Sequence, residues 1–220
     1  MDAVRTRPGD HVAAADELPP LPELPPFLSG RKLVVVDGAI LAADPQAAEL
    51  LAPLRELRPE LDTFGRLPAP ALSRIHLDPE GPTPSVTESV LLTELPPDAI
   101  EALLAVAGPD SGTSLLAAEL RQLGGQLRRP ADAALAALEG EYLAFFVGIA
   151  ATPELGALVK ADAARAVTAL GQWASGSRYL NFDDGLVPVA AGHSPEAWQR
   201  LLELREAIDP DRRLLANHAI

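Results

Sequence analysis

Proline sets the outline of this chain. Twenty-two of its 220 residues are proline, and each fixes φ and lacks a backbone N–H, so the elements must be short, with prolines at their boundaries. The densest stretch, Pro19-Pro20-Leu21-Pro22-Glu23-Leu24-Pro25-Pro26, must run extended or as polyproline. It reads either as a ligand for a proline-recognition domain or as a strap (residues 18–30) connecting parts of a protein. In the second reading Leu21, Leu24 and Phe27 anchor it to the chain's own surface. Residues 1–17 are polar and aperiodic and read as a loose arm.

From residue 31 onward, apolar periodicity marks alternating elements. Leu33-Val34-Val35-Val36 reads as a buried strand. Asp44 reads as the cap of a helix, with Pro45 in its first turn, Leu50, Leu51 and Leu54 on one face, and Arg58-Pro59 as its stop. Residues 61–67, 86–92, 115–121 and 142–147 read as further strands. A helix with Ile100, Leu103, Leu104 and Ala107 closes at Gly108-Pro109. A longer one over 153–173 carries Leu155, Leu158, Val159, Ala163, Ala166, Val167 and Leu170 at a period of 3.6 residues. The last helix starts at Ser194-Pro195, buries Trp198, Leu201, Leu202 and Ile208, and stops at Asp209-Pro210. The order of elements predicts an α+β fold, an antiparallel sheet with helices packed on one face.

Composition removes several kinds of chemistry. The chain has no cysteine, which excludes disulfides, thiolate metal sites and a cysteine nucleophile. Its net charge of -13 argues against nucleic acid or an anionic membrane as partner. No stretch has the length of a membrane span or the apolar run of a signal peptide, so a cytoplasmic location is expected. No two glycines stand in G-x-G spacing and neither lysine follows a glycine, which leaves no dinucleotide fingerprint and no P-loop. G-x-S-x-G and H-E-x-x-H are also missing, and His11, His76, His193 and His218 are scattered singly, so no metal site is expected.

Three segments could carry chemistry. In Arg178-Tyr179-Leu180-Asn181-Phe182-Asp183-Asp184-Gly185, an extended backbone would put the Tyr179 phenol and the Asn181 carboxamide on one side. Together they could hydrogen-bond a polar heterocycle or a substrate hydroxyl; equally, Asn181 and Asp183 could bond their own backbone in a surface turn. In Glu119-Leu120-Arg121-Gln122-Leu123-Gly124-Gly125, Glu119 and Arg121 share a strand face opposite Leu120, lining either a polar pocket or a solvated surface. The segment Asp209-Pro210-Asp211 to Asn217 and Ile220 reads either as a helix stop with a tail or, because of Leu214, Leu215 and Ile220, as a docked terminus.

These segments together resemble the C-terminal part of berberine-bridge-enzyme-like FAD-linked oxidases, members of the vanillyl-alcohol-oxidase (PCMH-type) superfamily. Pro79-Glu80-Gly81-Pro82-Thr83-Pro84, the E-x-R-x-x-G-G pattern from Glu119 to Gly125, Tyr179-Leu180-Asn181-Phe182 with Asp183, and the Asp209-Pro210-Asp211 stop with its tail occur in that order. The resemblance implies that residues 31–220 form the substrate domain, a sheet of about seven strands roofing the flavin. It also implies roles for residues: Tyr179 as catalytic residue, Tyr179, Asn181 and Asn217 at the cofactor, and Glu119 and Arg121 at a small organic substrate. The implied reaction is hydride transfer from substrate to FAD, with reoxidation by oxygen. In that family a glycine-rich FAD domain precedes this region, so FAD would need a flavin-binding partner domain or chain, and this chain alone is expected to be inactive. The reading from a different class is a non-catalytic assembly module whose uncovered sheet face pairs with another protein or with itself as a homodimer.

Overall fold

The computed structural model describes residues 11–15 (backbone), 31–76, 81–183, 188–216, 218 and 220; the strap at 18–30 lies outside them. Five strands, β1 (His11–Ala15), β2 (Leu33–Asp37), β3 (Ser85–Leu92), β4 (Ala117–Gln122) and β5 (Tyr142–Ile149), alternate with four α-helices. These are α1 (Asp44–Glu56), α2 (Pro97–Ala107), α3 (Pro153–Ala169) and α4 (Pro195–Ile208). The strands form one antiparallel sheet in the order β2-β1-β4-β5-β3. Each helix has a proline in its first two positions, where the missing N–H has no intrahelical partner to lose. Thr152 and Ser194 cap α3 and α4 by accepting the N–H groups of Leu155 and Ala197.

The core lies between the sheet and helices α2 and α3. Val90 and Leu92 of β3, Ala118 of β4, and Ala144 and Phe146 of β5 meet Ala99, Leu103 and Ala107 of α2 and Val159, Ala163, Ala166 and Leu170 of α3. The α3 residues recur at helical spacing and are fully buried, so one stripe supplies most of the contact. Small side chains let α3 come close to β5. A Cβ placed on Gly148 would lie 2.5 Å from Val159 Cγ1. A second tie is polar: Asp162 on α3 accepts the Ser114 N–H (2.7 Å) and hydroxyl (2.8 Å), while Arg165 lies 3.1 Å away. Burial works against the Asp162 charge, but the bonds from Ser114, with Arg165 and Thr113, prevail and hold its carboxyl below the usual aspartate range.

Several expectations change. The sheet has five strands among the described residues, not about seven. Residues 61–67 are not a strand; their polar groups bond to one another and to α1. Phe64 N–H donates to Asp62, Arg55 pairs with Asp62, and Arg66 reaches back to Asp44. That last bond also removes Asp44 from capping α1, whose cap is Ala43. Residues 11–15, inside the segment read as a loose arm, form β1 and fill the slot between β2 and β4. Backbone pairing on both sides needs no side-chain pattern, which is why the polar arm gave no signal. β2 is an edge strand and not a buried one, and Val34 is 75% exposed. α3 ends at Ala169 and a tight turn over Gly171–Trp173 follows it. Ile100, Leu104, Leu158 and Ile208 are exposed, so the buried stripes are narrower than the apolar patterns.

Two outcomes follow from the α3 seat. Gly148→Ala should cost about 1–3 kcal/mol by forcing β5 and α3 apart, read from the denaturant midpoint. Because the folded Asp162 carboxyl sits below its unfolded value of about 3.9, its stabilisation is present above that pH and is lost as pH falls through the folded pKa. Asp162→Asn should therefore flatten the acid limb of stability against pH, and an unchanged limb would contradict the assignment.

Candidate functional site

Side chains alternate along β5, so as Ala144 and Phe146 face the helices, Leu143 and Phe145 face the other way. The opposite surface is covered in its middle by a second, smaller cluster. Leu91, Leu123, Leu138 and Leu143 are buried there, with Tyr179 and Phe182 packed against them. The backbone places these residues in three steps. Just beyond β4 stand Gly124 and Gly125, whose φ values of 141° and 52° suit glycine, and the loop returns so that Leu138 N–H meets the Leu127 carbonyl at 3.0 Å. Ala174 bridges Leu92 at the β3 edge, and Ser175 N–H donates to Leu91. From that edge the chain passes over the open face and makes a single 3₁₀ turn over Leu180–Phe182.

The turn corrects the expected arrangement of Tyr179 and Asn181. A 3₁₀ turn has three residues per turn, so Tyr179 and Phe182 share a side and Asn181 does not. The two rings lie 5.1 Å apart, and Phe182 meets Phe145 edge-on at 5.2 Å. Asn181 is exposed, and neither its carboxamide nor the Tyr179 hydroxyl makes a hydrogen bond among the described residues.

Glu119 and Arg121 do share the open face. Arg121 donates Nη2 and Nε to one Glu119 oxygen, Oε2, at 2.6 and 3.0 Å. The guanidinium carbon stands 4.8 Å from the Phe182 ring centre and 5.7 Å from that of Phe145, a cation–π arrangement that fixes the arginine against both rings. The structure thus gathers Glu119, Arg121 and Tyr179 into one patch with Phe145 and Phe182 and leaves Asn181 at its margin. Asn217 lies outside the described residues. Phe145 went unassigned in the sequence because it sits within the most hydrophobic strand, where only the alternation of β5 separates a patch residue from a core residue.

The segment under the patch is held by charge. Asp183 is buried and accepts Arg178 Nε and Nη2 at 3.0 and 2.5 Å, with Glu88 3.8 Å from the same guanidinium. Asp183 was read as a possible backbone-bonding turn residue; its side chain instead spans the turn to Arg178. The C-terminal tail docks as well, though not through Leu215, which is 96% exposed. Asp209 accepts the N–H groups of Arg213 and Leu214, and His218 Nε2 lies 3.1 Å from the Leu180 carbonyl. The Leu214 N–H, with that of Arg213 and nearby Arg205 and Arg212, overcomes burial and holds the Asp209 carboxyl below the usual range. Among the described residues no three His, Cys, Asp or Glu side chains could share a metal ion, and no helix is long and apolar enough to cross a membrane.

The fold is similar to that of known oxidases. BBE-like 1 of Physcomitrella patens matches with a TM-score of 0.69 and 13% identity over 96% of this chain and 47% of that one. A variant of berberine bridge enzyme matches at 0.71 and 13%, over 96% and 48% of the two chains. A 6-hydroxy-D-nicotine oxidase from Arthrobacter nicotinovorans matches at 0.57 and 18%, over 93% and 45%. The chain spans about half the length of these structures, and its fold is that of part of a berberine-bridge-enzyme-like chain. No family model matches the chain, and no curated protein matches it in sequence.

Removing the Arg178 side chain would leave Asp183 buried without its charge partner. Arg178→Ala should therefore cost about 2–4 kcal/mol in chemical denaturation. Arg66→Ala, which breaks the exposed pair with Asp44, should cost less than about 1 kcal/mol. Equal effects would mean that the Arg178 pair carries no special load.

Proposed function

We propose that this chain is the substrate-binding domain of an FAD-dependent oxidoreductase, completed by a flavin-binding partner domain or chain. The observation that carries the reading is the two-sidedness of the sheet. Helices α2 and α3 bury one face, while the other presents Glu119, Arg121, Phe145, Tyr179 and Phe182 together. The likeness in fold to berberine bridge enzyme and 6-hydroxy-D-nicotine oxidase supports it.

The residues present fit the ring end of a flavin. Phe145, Phe182 and Tyr179 offer an apolar surface for a flat ring system, and the Tyr179 hydroxyl and Asn181 carboxamide have no bonds among the described residues to give up. The pyrophosphate end has no counterpart, since no G-x-G loop exists in the sequence. When bound, FAD supplies the hydride acceptor that oxygen reoxidises. The chain's own part is to bind and orient. Glu119 Oε1 and Arg121 Nη1, the atoms left out of their mutual bond, hold polar groups of a small organic substrate. Tyr179, deprotonated to its phenolate, would take up a substrate proton at Oη, and Asn181 and Asn217 would hold the cofactor.

Purified alone, the chain should be colourless and inactive. Mixed with a flavin domain encoded beside it, it should retain flavin absorbance through gel filtration. Tyr179→Phe should then lower kcat by about 10²–10⁴-fold with a smaller change in KM. Asn181→Ala should weaken flavin retention while changing stability by no more than about 0.5 kcal/mol. If no candidate retains flavin and the chain instead forms a monodisperse homodimer through this face, the assembly-module reading replaces this one.

A further inference from the structure

The Arg178–Asp183 pair brackets the turn that presents Tyr179 and Phe182, but its inner peptides have few bonds of their own. Two backbone bonds close it, Phe182 N–H to the Tyr179 carbonyl at 2.9 Å and Asp183 N–H to the Leu180 carbonyl at 3.4 Å. The second is long, and an isolated 3₁₀ turn of three residues is a weak element. The Leu180 carbonyl has one further partner: His218 Nε2 at 3.1 Å, from a tail 38 residues later in the chain. A carbonyl can only accept, so Nε2 carries the proton and donates it.

The tail is itself built to deliver that ring. Asp209, buried at the end of α4, accepts the Arg213 and Leu214 N–H groups at 2.7 and 2.9 Å, which turns the chain back beneath the helix. Arg205 Nη2 donates to the Leu214 carbonyl at 3.0 Å, and Arg212 Nη1 donates to the Ile220 carbonyl at 2.6 Å, so the tail is fixed on both sides of His218. Leu215, nearly fully exposed, contributes nothing to this docking. Polar bonds that each have a geometric partner do the work, and they end on the Leu180 carbonyl, inside the turn that carries the two patch rings.

We propose that His218 is a positioning residue: its bond to the Leu180 carbonyl latches the C-terminal tail onto the turn and fixes Phe182 against Arg121, with Tyr179 beside it. The latch is independent of the flavin reading, because it concerns the geometry of the patch whatever binds there. It makes the tail part of the site through the His218 ring.

Amide hydrogen exchange in the full chain tests it without any partner or ligand. Two variants separate the bond from the bulk: His218→Phe keeps a ring without a donor, and His218→Gln places an amide N–H at a similar reach. In His218→Phe the amides of Phe182 and Asp183 should exchange about three- to tenfold faster, as expected for the loss of one hydrogen bond of ordinary net worth. The amide of Phe146 in the core should keep its wild-type rate, and His218→Gln should restore most of the protection at Phe182. Unchanged exchange at Phe182 and Asp183 in His218→Phe would overturn the proposal. So would equal acceleration at Phe146, or failure of His218→Gln to restore protection.

Discussion

Strand β5 is hydrogen-bonded on both edges, to β3 and to β4, and the strict alternation of its side chains governs both layers of the molecule. Ala144 and Phe146 point into the helices and are fully buried; each large side chain so placed contributes about 2–3 kcal/mol through removal from water. Leu143 and Phe145 must then lie on the other side. The same geometry that seats α3 on Gly148 therefore creates the aromatic floor on which Arg121 and Phe182 rest, with Tyr179 against Phe182. A one-residue slip of β5 would exchange the two faces and abolish core and patch together.

The two sides are stabilised differently. The helix side is apolar apart from the Asp162 tie to Ser114. The patch side combines a small apolar cluster with a set of charges that are each matched: Arg121 with Glu119, Arg178 with Asp183, and Asp209 with the backbone of the tail. Charge-matched loops of this kind hold geometry at modest cost in buried area.

Much of the core was legible in the sequence and much of the periphery was not. The stripe Val159, Ala163, Ala166 and Leu170 shows its period directly, and the apolar runs of β3 and β5 stand at their observed positions. Pro153 and Pro195 marked the starts of α3 and α4 because proline's preference for the first turn is local chemistry. Residues 61–67 read as a strand, yet Asp62 and Arg66 pair with α1 residues, and the sequence pattern does not reveal such pairing. β1 is the opposite case, since its residues look featureless and are recruited by the two strands on either side. In the site, the shared face of Glu119 and Arg121 was readable from period two. The pairing of Tyr179 with Phe182 in place of Asn181 depended on a single tight turn, which neither composition nor period specifies.

The central claim is that a flavin-bearing partner covers the open face and not the helix face. The chain has no cysteine, so single cysteines can report on each side by their rate of alkylation. Asn181→Cys lies at the margin of the patch, and Leu158→Cys lies on the exposed side of α3. With the FAD-loaded flavin domain encoded beside this chain, alkylation of Asn181→Cys should slow by at least about tenfold while Leu158→Cys keeps its rate. Protection of Leu158→Cys with Asn181→Cys unchanged would contradict the account.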